Sequence, residues 1–481
     1  MHGSFFGGSV MDAAYDPLED TMTRSESRPL PKLNTKLTSG PIFKSLFLFM
    51  LPIFFSSLFQ QLYNTVDIMI VGNVLGDQAL AAIGACGAIY ELLVGFGLGI
   101  GNGLAIVAAR CYGAQDEDGL KRTVAGSMVI GVGASLTIML AGLLGLRPLL
   151  ELLDTPAEII GDAYAYIRII ALGVPVMFAY NLCSGLLRAI GNSMMPLVFL
   201  LLSSVLNVGL DIWFIAGLGL GVPGAAAATV LAQGVSAALC VVYILRRTPV
   251  LLPAQKHFEV GTQRYQELLT QGLSMGLMSS IVSAGSVVLQ YGINGLGTLV
   301  IAGHTAARKL FAVTDMPLTA MASAASTFVS QNFGAGSPDR VRKGMRDVYI
   351  YSVVVAIGAV LLMSCSAEWM VQAVSGSAEA VVVQNGAKYL MWNAPFYAVL
   401  GVLLSTRYAL QSLGQKVLPL LSSVIELVGK ILFVLFFIPR FGYDAVILCE
   451  PIIWCFMTAE LLFVYLRDPF VFPGRRKPRK E

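Results

Sequence analysis

The amino-acid sequence predicts an all-α integral membrane protein with twelve transmembrane helices, built as two six-helix bundles around a V-shaped central cleft. Three observations carry that expectation. The chain of 481 residues is 56% hydrophobic and only 13% charged, whereas a soluble domain carries about 25% charged residues. Apolar runs near the ~20 residues needed to cross hydrocarbon recur along most of the chain. The second half also repeats the pattern of the first.

Residues 1–41 are polar, rich in Gly, Pro, Ser and mixed charge. No apolar core follows an early basic start, so this is not a signal peptide; a flexible cytoplasmic tail is expected. The apolar runs lie at about 44–71, 79–109, 124–146, 159–182, 194–216, 222–245, 268–294, 299–331, 347–372, 380–406, 417–438 and 444–466. The first six define an amino-terminal bundle over 42–246. A linker over 247–265 separates it from a carboxy-terminal bundle over 266–466, and 467–481 form a basic tail. Pro52, Pro175, Pro317 and Pro395 fall inside spans, where a missing N–H can bend a helix.

Charge sets the orientation. With the amino terminus inside, the inner loops hold Lys121, Arg122, Arg188, Arg246, Arg247, Lys256, Arg264, Arg340, Arg342, Lys343, Arg346, Arg407 and Lys416. The outer loops hold Arg147 and Arg440 beside the acids Asp77, Glu151, Asp154 and Glu158. By the positive-inside rule both termini are cytoplasmic and the protein is multi-pass in the cell membrane. The net charge of +3 gives no reason to expect nucleic acid. Seven scattered cysteines form no CxxC and read as small buried side chains.

Shifted by 221 residues, AIVAARCYGAQDEDGLKRTV falls on STFVSQNFGAGSPDRVRKGM, so Gly113 meets Gly334. Shifted by 223, Gly191 meets Gly414 and Pro196 meets Pro419. Six spans per half is an even number, so the halves share one orientation and are related by an axis along the membrane normal. They are not chemically equal. Asp67 pairs with Val288, Asn207 with Lys430 and Asp211 with Val434.

Those acids are the centre of the functional reading. Asn207 and Asp211 are four apart in an apolar run, hence on one helix face. A carboxylate at membrane depth is costly unless it lines a cavity or meets a partner or an ion. Asp67 and Asp211 are therefore expected to form an ion-coupling centre; the bland alternative is that each sits near a wet helix end or packs neutralised. Gln60, Asn64 and Asp67 share a face of span 1, where the amides either line the cleft or join helices. Glu91 in span 2 and Met177, Tyr180, Met275 and Met278 are candidate cleft walls, the thioethers supplying a plastic surface. Arg308, Lys309 and Asp315 of span 8 are expected to pair with one another, Arg308 and Asp315 sharing a face at a spacing of seven, and Glu426 and Lys430 to form an i, i+4 pair. Pro52 is the candidate hinge.

The stretches LPIFFSSLFQQLYNTVDIMIVGNVLG, AARCYGAQ, LRAIGNSMMP and GLGLGVPGAAAATVLAQ resemble the multidrug and toxic compound extrusion (MATE) family over about 42–466. The resemblance implies a secondary active antiporter, not an enzyme. It would export organic, often cationic compounds in exchange for H⁺ or Na⁺ and need no further cofactor. In the subgroup with an acidic amino-terminal lobe, it implies a coupling site at Asp67, Asn207, Asp211 and Thr229, with Tyr63 in the network. The oxygen ligands of that set suit a hard cation such as Na⁺, and the same acids can titrate instead. No acid lies inside span 7, and Glu379 lies only at the edge of span 10, so a carboxy-lobe cation site is not expected. A lipid-linked saccharide flippase of the same superfamily is the alternative, supported only by Arg308, Lys309, Lys388 and Lys430. The expected partners are small organic cations and the lipid bilayer, for a monomer.

Overall fold

A computed structural model of the protein describes residues 35–153 and 155–473. Most of the expected 1–41 tail, the end of the basic tail and Asp154 lie outside the described residues. The helices are α1 (Ile42–Leu75), α2 (Asp77–Ala85), α3 (Gly87–Gly113), α4 (Glu117–Leu152), α5 (Ile160–Ala189), α6 (Met194–Asp211), α7 (Gly221–Arg247) and α8 (Thr262–Asn294). They continue with α9 (Thr298–Thr314), α10 (Met316–Gly334), α11 (Pro338–Ser375), α12 (Ala380–Asn393), α13 (Tyr397–Ser412), α14 (Val417–Leu432), α15 (Ile438–Phe441) and α16 (Tyr443–Tyr465).

Each expected span is helical. Among the described residues, ten helices are long and apolar enough to cross a membrane unbroken. The other two spans are each made of two shorter helices, and proline explains both breaks. Pro317 opens α10 just after the interruption at Asp315, and Pro395 sits in the 3₁₀ turn between α12 and α13. Neither proline can donate to the preceding turn, so the helix restarts there. Pro52 is different: α1 runs straight through it, and the Ser56 hydroxyl donates back to the Pro52 carbonyl at 2.7 Å.

Backbone geometry reproduces the repeat. Gly76 and Gly297 turn with φ of +82° and +98°, Gly191 and Gly414 with +87° and +91°, and Gly221 and Gly442 with +63° and +59°. A side chain in that left-handed region is strained, so glycine recurs at matching turns of the two halves.

Two apolar cores result. One gathers α3, α4, α5 and α7; the other gathers α9 to α13 and α16. The division at 247–265 is not complete in space. Leu46, Phe49, Met50 and Ile53, at the start of α1, pack into the carboxy-terminal core, and Leu268 at the start of α8 packs into the amino-terminal one. Each half thus lends the beginning of its first span to the other lobe.

The lobes meet along α3 and α8 and along α3 and α10. These contacts run from the middle of α3 and α8 to the end of the bundle that carries the Arg and Lys clusters, here called the basic end. Glycine makes them close. A Cβ on Gly99 would stand 2.7 Å from the Gly276 Cα, and one on Gly103 would stand 2.6 Å from the Gln271 carbonyl oxygen. A Cβ on Gly113 would overlap the Gln331 carbonyl, and one on Gly334 the Arg110 carbonyl. Arg110 then ties the seam. It pairs with Glu267 at 3.0 Å and donates to the Gln411 and Ser412 carbonyls at 2.6 and 2.8 Å. Gln331 donates across to the Ala189 carbonyl at 2.7 Å. At the opposite end α2 and α9 pack essentially within their own lobes, so the halves part there.

The carboxy-terminal lobe also buries a chain of charges. Glu426 and Lys430 pair at 2.9 Å, as their spacing predicts. Arg308 does not turn to Asp315; it pairs with Glu450 of α16 at 2.8 Å and with the Tyr389 hydroxyl at 3.1 Å. Glu450 lies 3.7 Å from Lys430, and Arg407 lies 3.7 Å from Glu426. Alternating signs let each charge leave water against an opposite one.

Two outcomes are expected from this packing. Gly113→Val should destabilise closure at the basic end by about 1–3 kcal/mol, the usual cost of overpacking. Spin labels at Glu117 and Asp339, both exposed, should report a longer distance in that variant. Glu450→Gln leaves Arg308 and Lys430 short of a carboxylate and should cost about 3–5 kcal/mol. Lys388→Ala, which removes a more exposed pair with Asp444, should cost under about 1 kcal/mol. Thermal unfolding in detergent separates the two.

Candidate functional site

Three helices of the amino-terminal lobe, α1, α6 and α7, pack on one another toward the parted end. Asp67 sits about two turns before the end of α1. Asp211 is the last residue of α6, where the helix widens into a π-helical segment over Ile212–Gly217. Such widened turns disturb the regular i→i−4 ladder and recur at functional sites. Asn207 lies one turn before Asp211, and Thr229 comes from α7. Local sequence therefore puts Asn207 and Asp211 on one face, but the crossing of three helices brings Asp67 and Thr229 to them.

The carboxyl groups of Asp67 and Asp211 are close enough to interact directly. Asp211 is fully buried and Asn207 is 2% exposed. Their polar atoms lack partners among the described residues: both carboxylate oxygens of Asp211, both amide atoms of Asn207 and Oδ1 of Asp67. Buried polar atoms are almost always satisfied, so five unsatisfied atoms at one point call for an occupant. The Thr229 hydroxyl donates to the Ala225 carbonyl at 3.1 Å, and its lone pairs remain free to accept. A cavity of about 10 Å³ adjoins the group, lined by Tyr63, Ser203, Asn207, Thr229 and Gln233; its size approaches that of a single water site. Tyr63 faces both Gln233 and Gln60.

Tyr63, Asn207 and Thr229 line this cavity; Asp67 and Asp211 do not, but Asp67 stands near Tyr63 and interacts with Asp211, so the five fall in one cluster. Three further residues belong to it. Gln233 is four residues after Thr229, a signal of the kind that linked Asn207 to Asp211. Tyr90 and Tyr166 also stand near Asp67, and no sequence spacing marks Tyr166. Oxygen and amide donors dominate the set, a chemistry suited to a proton or a hard cation. Among the described residues, no group of three or more His, Cys, Asp and Glu side chains is placed to hold a metal ion.

The cleft candidates divide. Gln60, Asn64 and Glu91 are exposed. Met177 and Tyr180 lie instead inside the amino-terminal core, with the Tyr180 hydroxyl 3.5 Å from the Pro196 carbonyl. Met275 and Met278 are buried with Ile106 against Tyr408 and Leu420, where the lobes close, and Met275 also lines a small cavity between the lobes. Helical position alone could not tell these four from open walls, because the closure that covers the two α8 methionines is a contact between distant parts of the chain.

Known proteins share this architecture. The MatE family model matches residues 52–213 and again 275–436, two copies that start 223 residues apart. "Probable multidrug resistance protein YpnP" of Bacillus subtilis is 28% identical over 367 residues, covering 76% of this chain and 81% of that protein. "Multidrug export protein MepA" of Staphylococcus saprophyticus is 23% identical over 440 residues, covering 89% and 94%. A solved outward-facing multidrug resistance MATE family transporter superposes with a TM-score of 0.84 at 21% identity, over 92% of this chain and 98% of its own. A MOP superfamily transporter from Pyrococcus furiosus does so with 0.84 at 22% identity, over the same shares. The doubled match falls where the repeat and the paired glycine turns lie, and it spans about two thirds of the chain: this is a multi-pass membrane protein that belongs to the MatE family.

Proposed function

We propose that the protein is a secondary active multidrug exporter that moves organic, cationic compounds out of the cell in exchange for H⁺ or Na⁺. The observation that carries this reading is the facing pair Asp67 and Asp211 with five unsatisfied polar atoms around them. Two ionised carboxylates at that range in a low dielectric repel strongly, and a shared proton or an intervening cation removes the conflict. The occupant is therefore the coupling ion, held by Asp67, Asn207, Asp211 and Thr229, with Tyr63 and Gln233 beside it.

With the basic end in the cytoplasm, the closed seam faces inward and the parted lobes face out. An ion from outside enters the chamber, neutralises the acids and lets α1 repack against α6 and α7 about Pro52. The lobes then rock, breaking the glycine seam and opening the other side. A membrane potential supplies ~2.3 kcal/mol per charge per 100 mV to drive the ion step. The relatives named as a probable multidrug resistance protein and as a multidrug export protein support the cargo class, and the amino-terminal acids suit cations. Of the four cations behind the flippase alternative, Arg308, Lys388 and Lys430 are each paired with a carboxylate, which weighs against it and leaves Lys309.

In proteoliposomes, Asp67→Asn and Asp211→Asn should fold and insert normally but reduce ion-driven efflux of a cationic dye to the level of protein-free vesicles. Full activity in both variants would dispose of the coupling site. For the wild type, replacing Na⁺ by choline at fixed pH, then collapsing the pH gradient at fixed Na⁺, identifies the ion. Efflux indifferent to both changes would end the antiport reading.

A further inference from the structure

A second polar chamber lies between the lobes, just inside the closed basic end. It has a volume of about 40 Å³ and is lined by Asn102 and Arg188 of one lobe and by Ser323, Ser326, Thr327 and Tyr408 of the other. Arg188 is the unusual member. Arg110, Arg308, Arg407 and Lys430 each have a carboxylate within 4 Å. Arg188 has none among the described residues; its only side-chain hydrogen bond runs to the Asn102 Oδ1 at 3.4 Å, long for such a bond. A guanidinium cannot shed its proton, and Arg188, half-buried on the chamber wall, has no fixed counter-charge among the described residues. The Ser323 and Thr327 hydroxyls on the facing wall are further donors.

We propose that this chamber binds one small monovalent anion, of halide or short carboxylate size, on the Arg188 guanidinium. The charge demands a counterion, and the hydroxyls of the facing lobe complete its shell. A space of about 40 Å³ holds a few waters or one such ion, and a drug-sized ligand needs several hundred. Because its donors come from both lobes, the anion clamps them together beside the Arg110–Glu267 pair. Opening the basic end pulls Arg188 away from Ser323 and Thr327 and releases it. The protein therefore carries an anion site distinct from the acid chamber on α1, α6 and α7.

The test uses the full-length protein in detergent at constant ionic strength. Thermal midpoints are measured with chloride, bromide, acetate or the bulky gluconate as the only anion. A saturable rise with halide or acetate over gluconate is expected, and which of the two acts identifies the ligand as halide or carboxylate. Arg188→Gln should weaken the apparent affinity on the order of 10-fold or more, the loss of one charge-assisted contact. Thr327→Val, which keeps the arginine and the fold, should weaken it by less. Crystals grown in bromide should show an anomalous peak beside Arg188. Equal midpoints in all four anions, an unchanged halide response in Arg188→Gln, or no peak at that place would overturn the proposal. Should Arg188→Gln not fold, Thr327→Val and the bromide peak decide.

Discussion

Charge inside a low-dielectric bundle must be answered by charge, and much of this structure follows from that requirement. The carboxy-terminal lobe meets it with protein alone. Arg308, Glu450, Lys430, Glu426 and Arg407 alternate in sign from α9 through α16 and α14 to α13. The amino-terminal lobe does not. Asp67 and Asp211 interact with each other, and none of the ion pairs among the described residues involves either of them. The repeat makes the contrast sharp, since Lys430 stands in sequence where the other half has Asn207. One lobe carries a tethered ammonium, and the other leaves room for an exchangeable charge.

The seam between the lobes is the second determinant. Gly99, Gly103, Gly113 and Gly334 bring backbones closer than any side chain allows. Such contacts are numerous yet individually weak, and dispersion at close range is lost quickly on separation. A seam of this kind holds when closed and parts without leaving large apolar side chains stranded. Its electrostatic component, Arg110 with Glu267 and two carbonyls, is confined to the basic end. The unpaired Arg188 lies near it, on the lobe interface.

Much of the candidate site was legible before any coordinates. The pairing of Asn207 with Asp211 is a matter of helical spacing, and the cost of acids in hydrocarbon marks them as functional. Gln233 was equally legible by its spacing from Thr229. Glu450 was not singled out, because a lone acid in an apolar run has no readable partner until α9 and α14 are packed against α16. The expectation that Arg308 pairs with Asp315 missed its nearer carboxylate, Glu450, for the same reason. Spacing on one helix tells which residues share a face, and not which neighbouring helix offers a better partner.

Sequence by itself determined the class, the spans, the duplication and the inequality of the halves, since these depend on hydropathy and on residue identity at fixed intervals. Local chemistry also placed the breaks, through Pro317 and Pro395, and the turns, through glycines with positive φ. Tertiary structure alone decided that the start of α1 joins the opposite core, that Met275 and Met278 are covered, and that Asp67 meets Asp211. Each of these joins residues far apart along the chain, whose meeting depends on how whole helices cross, and helix crossing is set by the summed shape of many side chains rather than by any motif.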